Sequence, residues 1–120
     1  MPQPLRILVV ESEEALSRQI AEALSAAGYQ VDLARSGREA LNRAERSRYE
    51  RVILDLCLPD ITGILVYLML RGIDPSLPQR TLLVSTAPAQ YPGQDLGALG
   101  LGYLPRPFAV QDLIDRLAVR

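Results

Sequence analysis

The 120-residue chain is 48% hydrophobic and 22% charged, the composition of an ordinary soluble globular protein, and its length fits one domain spanning residues 1–120. A net charge of −1 leaves no basic footprint for nucleic acid, and no run of about 18 apolar residues argues for a membrane span. A single cysteine, Cys57, and the absence of histidine exclude an internal disulfide, a Cys/His zinc site and histidine-based acid–base or triad catalysis. The N-terminus lacks a charged and apolar signal pattern, so a cytoplasmic location is expected. All 13 basic residues are arginine.

Ile7-Leu-Val-Val10 is an apolar run without alternation, as suits a strand covered on both faces of a parallel sheet. Leu16, Ile20, Ala23, Leu24 and Ala27 then recur at helical spacing, with Ser12 predicted as the N-cap and Gly28 as the stop. Tyr29 to Ala34 reads as a second strand. Ser36-Gly-Arg-Glu39 has capping-box spacing and opens a second helix to about Ser47. The third strand, Val52 to Leu54, ends on the carboxylate of Asp55, followed by the turn signal Pro59-Asp60. A third helix opens at Thr62 or Gly63 and reaches about Arg71, and a Gly/Pro loop over residues 72–78 precedes a fourth strand, Thr81 to Val84. The Pro/Gly-rich residues 88–102 leave room only for a short helix near Gln94 to Leu99. Leu101 to Leu104 is the fifth strand, and Val110, Leu113, Ile114 and Leu117 mark a final amphipathic helix.

Strands alternating with helices predict five βα units around a parallel sheet. The residues ending each strand then meet at one edge: Glu11 and Ser12, Asp55, Ser85 and Thr86, and Arg106.

Leu8-Val-Val-Glu11-Ser12-Glu13, Val52-Ile-Leu-Asp55-Leu-Cys-Leu-Pro59-Asp60 with Gly63, Ser85-Thr86-Ala87 and Tyr103-Leu-Pro-Arg106-Pro107-Phe108, in this order, resemble the receiver domain of bacterial two-component response regulators. The resemblance covers essentially the whole chain. It implies a flavodoxin-like (βα)5 three-layer α/β sandwich with parallel sheet order 2-1-3-4-5. It also implies a signalling domain rather than an enzyme, with Asp55 accepting a phosphoryl group from a histidine kinase or phosphotransfer protein. In such domains Mg²⁺ is held by the acidic pair after the first strand, here Glu11 and Ser12, by the phosphoacceptor and by a backbone carbonyl, here that of Cys57. By the same resemblance Thr86 and Tyr103 are the switch residues, and Arg106 stands where a phosphate-pairing lysine precedes a cis proline. An effector domain following in the full-length protein is a further implication.

Two positions depart from that pattern. Ser12 replaces the second acid and Arg106 replaces the lysine. Two carboxylates and one guanidinium sum to −1 before any metal, so Mg²⁺ is less strongly demanded and less well held. Arginine is planar, larger and always charged, so it is no neutral stand-in for lysine; it can pair directly with Asp55. Cys57 reads as a small half-buried filler. The third helix, Ile64-Leu-Val-Tyr-Leu-Met-Leu70, is apolar all round, with Leu65, Leu68 and Met69 where relatives carry charge. Either the Leu96–Leu101 region folds over those three, or they form a patch for a partner or for a homodimer.

Three functions compete. One is a phosphorylatable receiver. Another is a degenerate pseudo-receiver that binds proteins without phosphorylation, since function lives in the site rather than the fold. The third is a flavin carrier, which Glu11-Ser-Glu-Glu14 opposes because those carboxylates repel a phosphate at the first helix N-terminus.

Overall fold

The structure, a computed structural model, describes residues 4–85 and 96–118. Strands β1 (Arg6–Val10), β2 (Gln30–Ala34), β3 (Arg51–Asp55), β4 (Thr81–Ser85) and β5 (Tyr103–Pro105) form one parallel sheet in the order β2-β1-β3-β4-β5. Helices α1 (Glu14–Ala26), α2 (Gly37–Arg46), α3 (Gly63–Ile73) and α4 (Val110–Ala118) cover its two faces. This is the α/β architecture and strand order expected from the sequence.

Successive strand side chains point to opposite faces of a sheet. On one face Leu8, Val10, Val52, Leu54 and Leu83 pack with Ala40 and Ala44 of α2 and Val66 and Leu70 of α3. On the other, Ile7, Val9, Ile53, Leu82 and Val84 pack with Ile20 and Leu24 of α1 and Leu113 and Leu117 of α4. Each fully buried aliphatic side chain contributes about 1.5–3 kcal/mol. Both faces must therefore be apolar, which is why the strands read as runs without alternation.

Helix ends follow local chemistry. Ser36 accepts the Glu39 N–H and Thr62 accepts the Leu65 N–H, so both serve as N-caps. After α1 the Gly28 N–H bonds to Ser25 and the Tyr29 N–H to Leu24, a Schellman closure.

Several boundaries differ from expectation. Ser12 is not the cap of α1; the helix begins at Glu14, and Glu13 is the N-cap without a side-chain cap bond. The carboxylate of Glu11 accepts the Glu13 N–H at 3.0 Å, which keeps the chain extended one residue further. Ala27 is exposed beyond the last turn of α1. Helix α3 continues through Gly72 to Ile73, and Leu77–Arg80 forms a 3₁₀ turn instead of open loop. Strand β5 starts two residues late: Gly102 has φ +98°, a left-handed conformation outside the extended range, although the Leu101 N–H still bonds to Thr81 and the Gly102 carbonyl accepts the Leu83 N–H. The expected helix near Gln94 to Leu99 falls partly outside the described residues, and a 3₁₀ turn covers Leu96–Ala98. Cys57 is exposed, not half-buried.

Leu65, Leu68 and Met69 stay exposed on α3, at 47%, 49% and 43%. Leu99 packs against the neighbouring core and lines a cavity with Tyr67 and Leu68, yet it does not bury that patch. Among the described residues no helix is long and apolar enough to cross a membrane.

Gly63 opens α3 against the end of β3. A Cβ there would fall 2.5 Å from the Asp55 carbonyl oxygen and closer still to the Leu56 Cα. Gly63→Ala is expected to cost about 2–3 kcal/mol in denaturant unfolding, since backbone has to move. Leu68→Glu, by contrast, is expected to change stability by less than about 0.5 kcal/mol in the same measurement.

Candidate functional site

The sheet places four chain segments at one edge. Glu11 follows β1, Asp55 closes β3, Ser85 closes β4 and Arg106 follows β5. Backbone bonds continue the sheet past the strand ends and fix these positions: the Glu11 N–H bonds to Ala34, the Leu56 N–H to Val84 and the Arg106 N–H to Ser85, each at 2.9 Å.

Glu11 and Asp55 are buried, at 1% and 2% exposure. Arg106 reaches between them. Its Nη2 pairs with Glu11 Oε1 and lies 3.3 Å from Asp55 Oδ2. The remaining carboxylate oxygens accept backbone donors: Glu11 Oε2 takes the Glu13 N–H and Asp55 Oδ1 takes the Cys57 N–H, both at 3.0 Å. The peptide bond between Arg106 and Pro107 is cis. Ser12 is half-buried beside this cluster in sequence.

Tyr103 turns its hydroxyl toward the same edge and donates to the Ser85 carbonyl at 3.2 Å; burial raises its phenol above the usual value. Thr86 lies outside the described residues. Leu65, Leu68 and Met69 are on α3 and take no part in the cluster.

Ser85, expected at this edge, and Asp60, expected only as a turn residue, also shape the site. Ser85 is fully buried, with its hydroxyl 3.6 Å from the Cys57 thiol. Asp60 spans from the loop after β3 to the start of α2, accepting the Gly37 N–H at 2.8 Å, the Arg38 N–H at 3.0 Å and the Ile61 N–H at 2.9 Å. These donors hold its carboxyl below the ordinary carboxylate range. No local pattern announces that clasp, because Asp60 and Gly37 are 23 residues apart.

One guanidinium serves two buried carboxylates. Burial, with the Glu13 charge as a lesser contributor, pushes the Asp55 carboxyl up to about 6, while the Cys57 N–H opposes this. The donors are all oxygen, as a hard cation prefers. As arranged, however, they do not fit a divalent ion, because a guanidinium sits between the two acids. Among the described residues no group of three or more acid or thiol side chains is gathered for a metal.

An acid whose folded value is raised favours the folded state when protonated. That stability is present below about pH 4 and lost as pH rises through about 6. Asp55→Asn is therefore expected to stabilise the chain at pH 7.5 by about 1–2 kcal/mol, leaving Glu11 and Arg106 as a neutral pair. Thermal unfolding across pH checks this; the gain should shrink as pH falls from about 6 toward 4.

Residues 7–118 match the family described as the response regulator receiver domain. Response regulator MprA of Mycolicibacterium vanbaalenii is 39% identical over 118 residues, covering 95% of this chain and 49% of that protein. The MprA of Mycobacterium tuberculosis is 38% identical over 117 residues, covering 94% and 49%. The chain thus spans about half the length of the curated relatives it matches. Among solved structures, response regulator TrrA of Thermotoga maritima, in complex with Mg²⁺ and BeF, is 28% identical with a TM-score of 0.81, covering 94% of this chain and 96% of that one. A CheY-like receiver domain protein from Methanospirillum hungatei shares the fold at 23% identity, with a TM-score of 0.82 and coverage of 95% and 90%. The chain belongs to the response regulator receiver domain family of two-component signalling.

Proposed function

We propose that Asp55 is the phosphoacceptor of this receiver domain, taking its phosphoryl group from a phosphohistidine on a partner kinase or phosphotransfer protein. The observation that carries the reading is the buried Asp55 carboxylate at the end of β3, 3.3 Å from the Arg106 cation that follows β5, two strands away. In the transfer the phosphohistidine N–P bond breaks and an Asp55 O–P bond forms. Such a transfer needs mainly positioning and neutralisation of spread negative charge. The β3 end supplies the first, and Arg106 is the phosphate-pairing group for the second.

The added group carries roughly −1.5 to −2 charges. Arg106 then has a stronger partner than Glu11, and a redistribution of its contacts biases the edge between two states. Thr86 and Tyr103 are the switch residues of this reading, Tyr103 by exchanging its Ser85 contact. Any Mg²⁺ held by Glu11, Asp55 and the Cys57 carbonyl is held weakly, because Arg106 competes for both carboxylates. The exposed Leu65, Leu68 and Met69 are the surface for protein partners or a second copy. That the relatives are about twice as long supports an effector domain as the element the receiver controls.

Incubation with a small acyl phosphate, with and without Mg²⁺, should add one phosphoryl mass to the chain, and Asp55→Asn should abolish the gain. If intact-mass measurement shows no gain for the wild-type chain in either condition, Asp55 is not an acceptor and the domain works by binding alone.

A further inference from the structure

The oxygens of Glu11 and Asp55 face donors or the guanidinium. Two accept backbone N–H groups, from Glu13 and Cys57, and two face Nη2 of Arg106. The adjoining position that could add a third carboxylate is Ser12, which is neutral. Mg²⁺ demands near-octahedral oxygen ligands at about 2.0–2.1 Å and gives up its waters reluctantly. A guanidinium cannot lose its charge to make room, and a divalent ion a few ångström away would repel it. With Arg106 placed between them, guanidinium and metal compete for these two acids.

We propose that Arg106 is a tethered counter-cation that excludes Mg²⁺ from the Glu11–Asp55 pair, so that the resting site carries its cation on the chain. Metal enters only when Arg106 leaves. A cavity of about 310 Å³ lined by Glu13, Leu16, Arg106, Pro107 and Phe108 adjoins the cluster. It offers the displaced side chain room, apolar walls for its stem and the Glu13 carboxylate for its head. Arginine at this position thus sets cation selectivity, beyond pairing with a phosphoryl group. The inference uses the same carboxylates as the acceptor reading but not phosphoryl transfer, so a chain that takes no phosphoryl group still tests it.

The test is Mg²⁺ titration of the unphosphorylated chain by calorimetry, with thermal unfolding at about 10 mM MgCl₂ as a second readout. Arg106→Ala should bind Mg²⁺ at least about tenfold more tightly than wild type and rise in Tm when the salt is added. Arg106→Gln, which is shorter but keeps a polar amide without the charge, should do the same and serves if the alanine variant does not fold. Adding Asp55→Asn to either variant should remove the gain, which places it at this pair. Ser12→Asp with Arg106 intact should gain less than Arg106→Ala. Wild type binding as tightly as the Arg106 variants would overturn the proposal. So would full restoration by Ser12→Asp alone, since the defect would then be a missing ligand and not a blocking cation.

Discussion

Two negative charges and one positive charge share a buried space at the end of the sheet, and the surrounding structure is arranged around that imbalance. A buried charge is tolerated only when paired and hydrogen-bonded. Here the β1, β3 and β5 ends each supply one member, while backbone N–H groups of the loops after β1 and β3 serve the oxygens that the guanidinium does not reach. The sheet creates this situation. Its interior is apolar on both faces, so polar chemistry has an outlet only where the strands stop.

Arginine at position 106 changes the meaning of that edge. A lysine would present a compact charge to one oxygen, whereas a guanidinium spreads its charge over several donors and spans two acceptors at once. The chain thereby neutralises part of its own site. A phosphoryl group or a metal ion then has to compete with an internal partner, and its binding becomes a displacement rather than the filling of a gap.

The strands and the convergence of Glu11, Asp55 and Arg106 were legible because they rest on apolar runs and on the alternation of strands and helices, while the strand order followed from the family resemblance. What was not legible depends on contacts between distant segments. The start of α1 moved from Ser12 to Glu13 because the Glu11 side chain turns forward, an event no propensity describes. Gly102 holds a left-handed backbone just before the late start of β5, and Asp60 reaches the α2 N-terminus across a gap invisible to a local window. The pattern of α3 gave its apolar character, but only the packing of Leu99 beside Leu68 decided that the patch remains uncovered.

Gly63 has a mechanical consequence. With no side chain between them, the first turn of α3 rests on the backbone of Asp55 and Leu56. The Gly63 N–H is also bonded to the Leu56 carbonyl at 3.0 Å. Strand end and helix start are thus in direct backbone contact. The same helix bears the exposed Leu65, Leu68 and Met69 within its first two turns. The sheet edge that carries Asp55 and the apolar surface are thus separated by a single backbone contact.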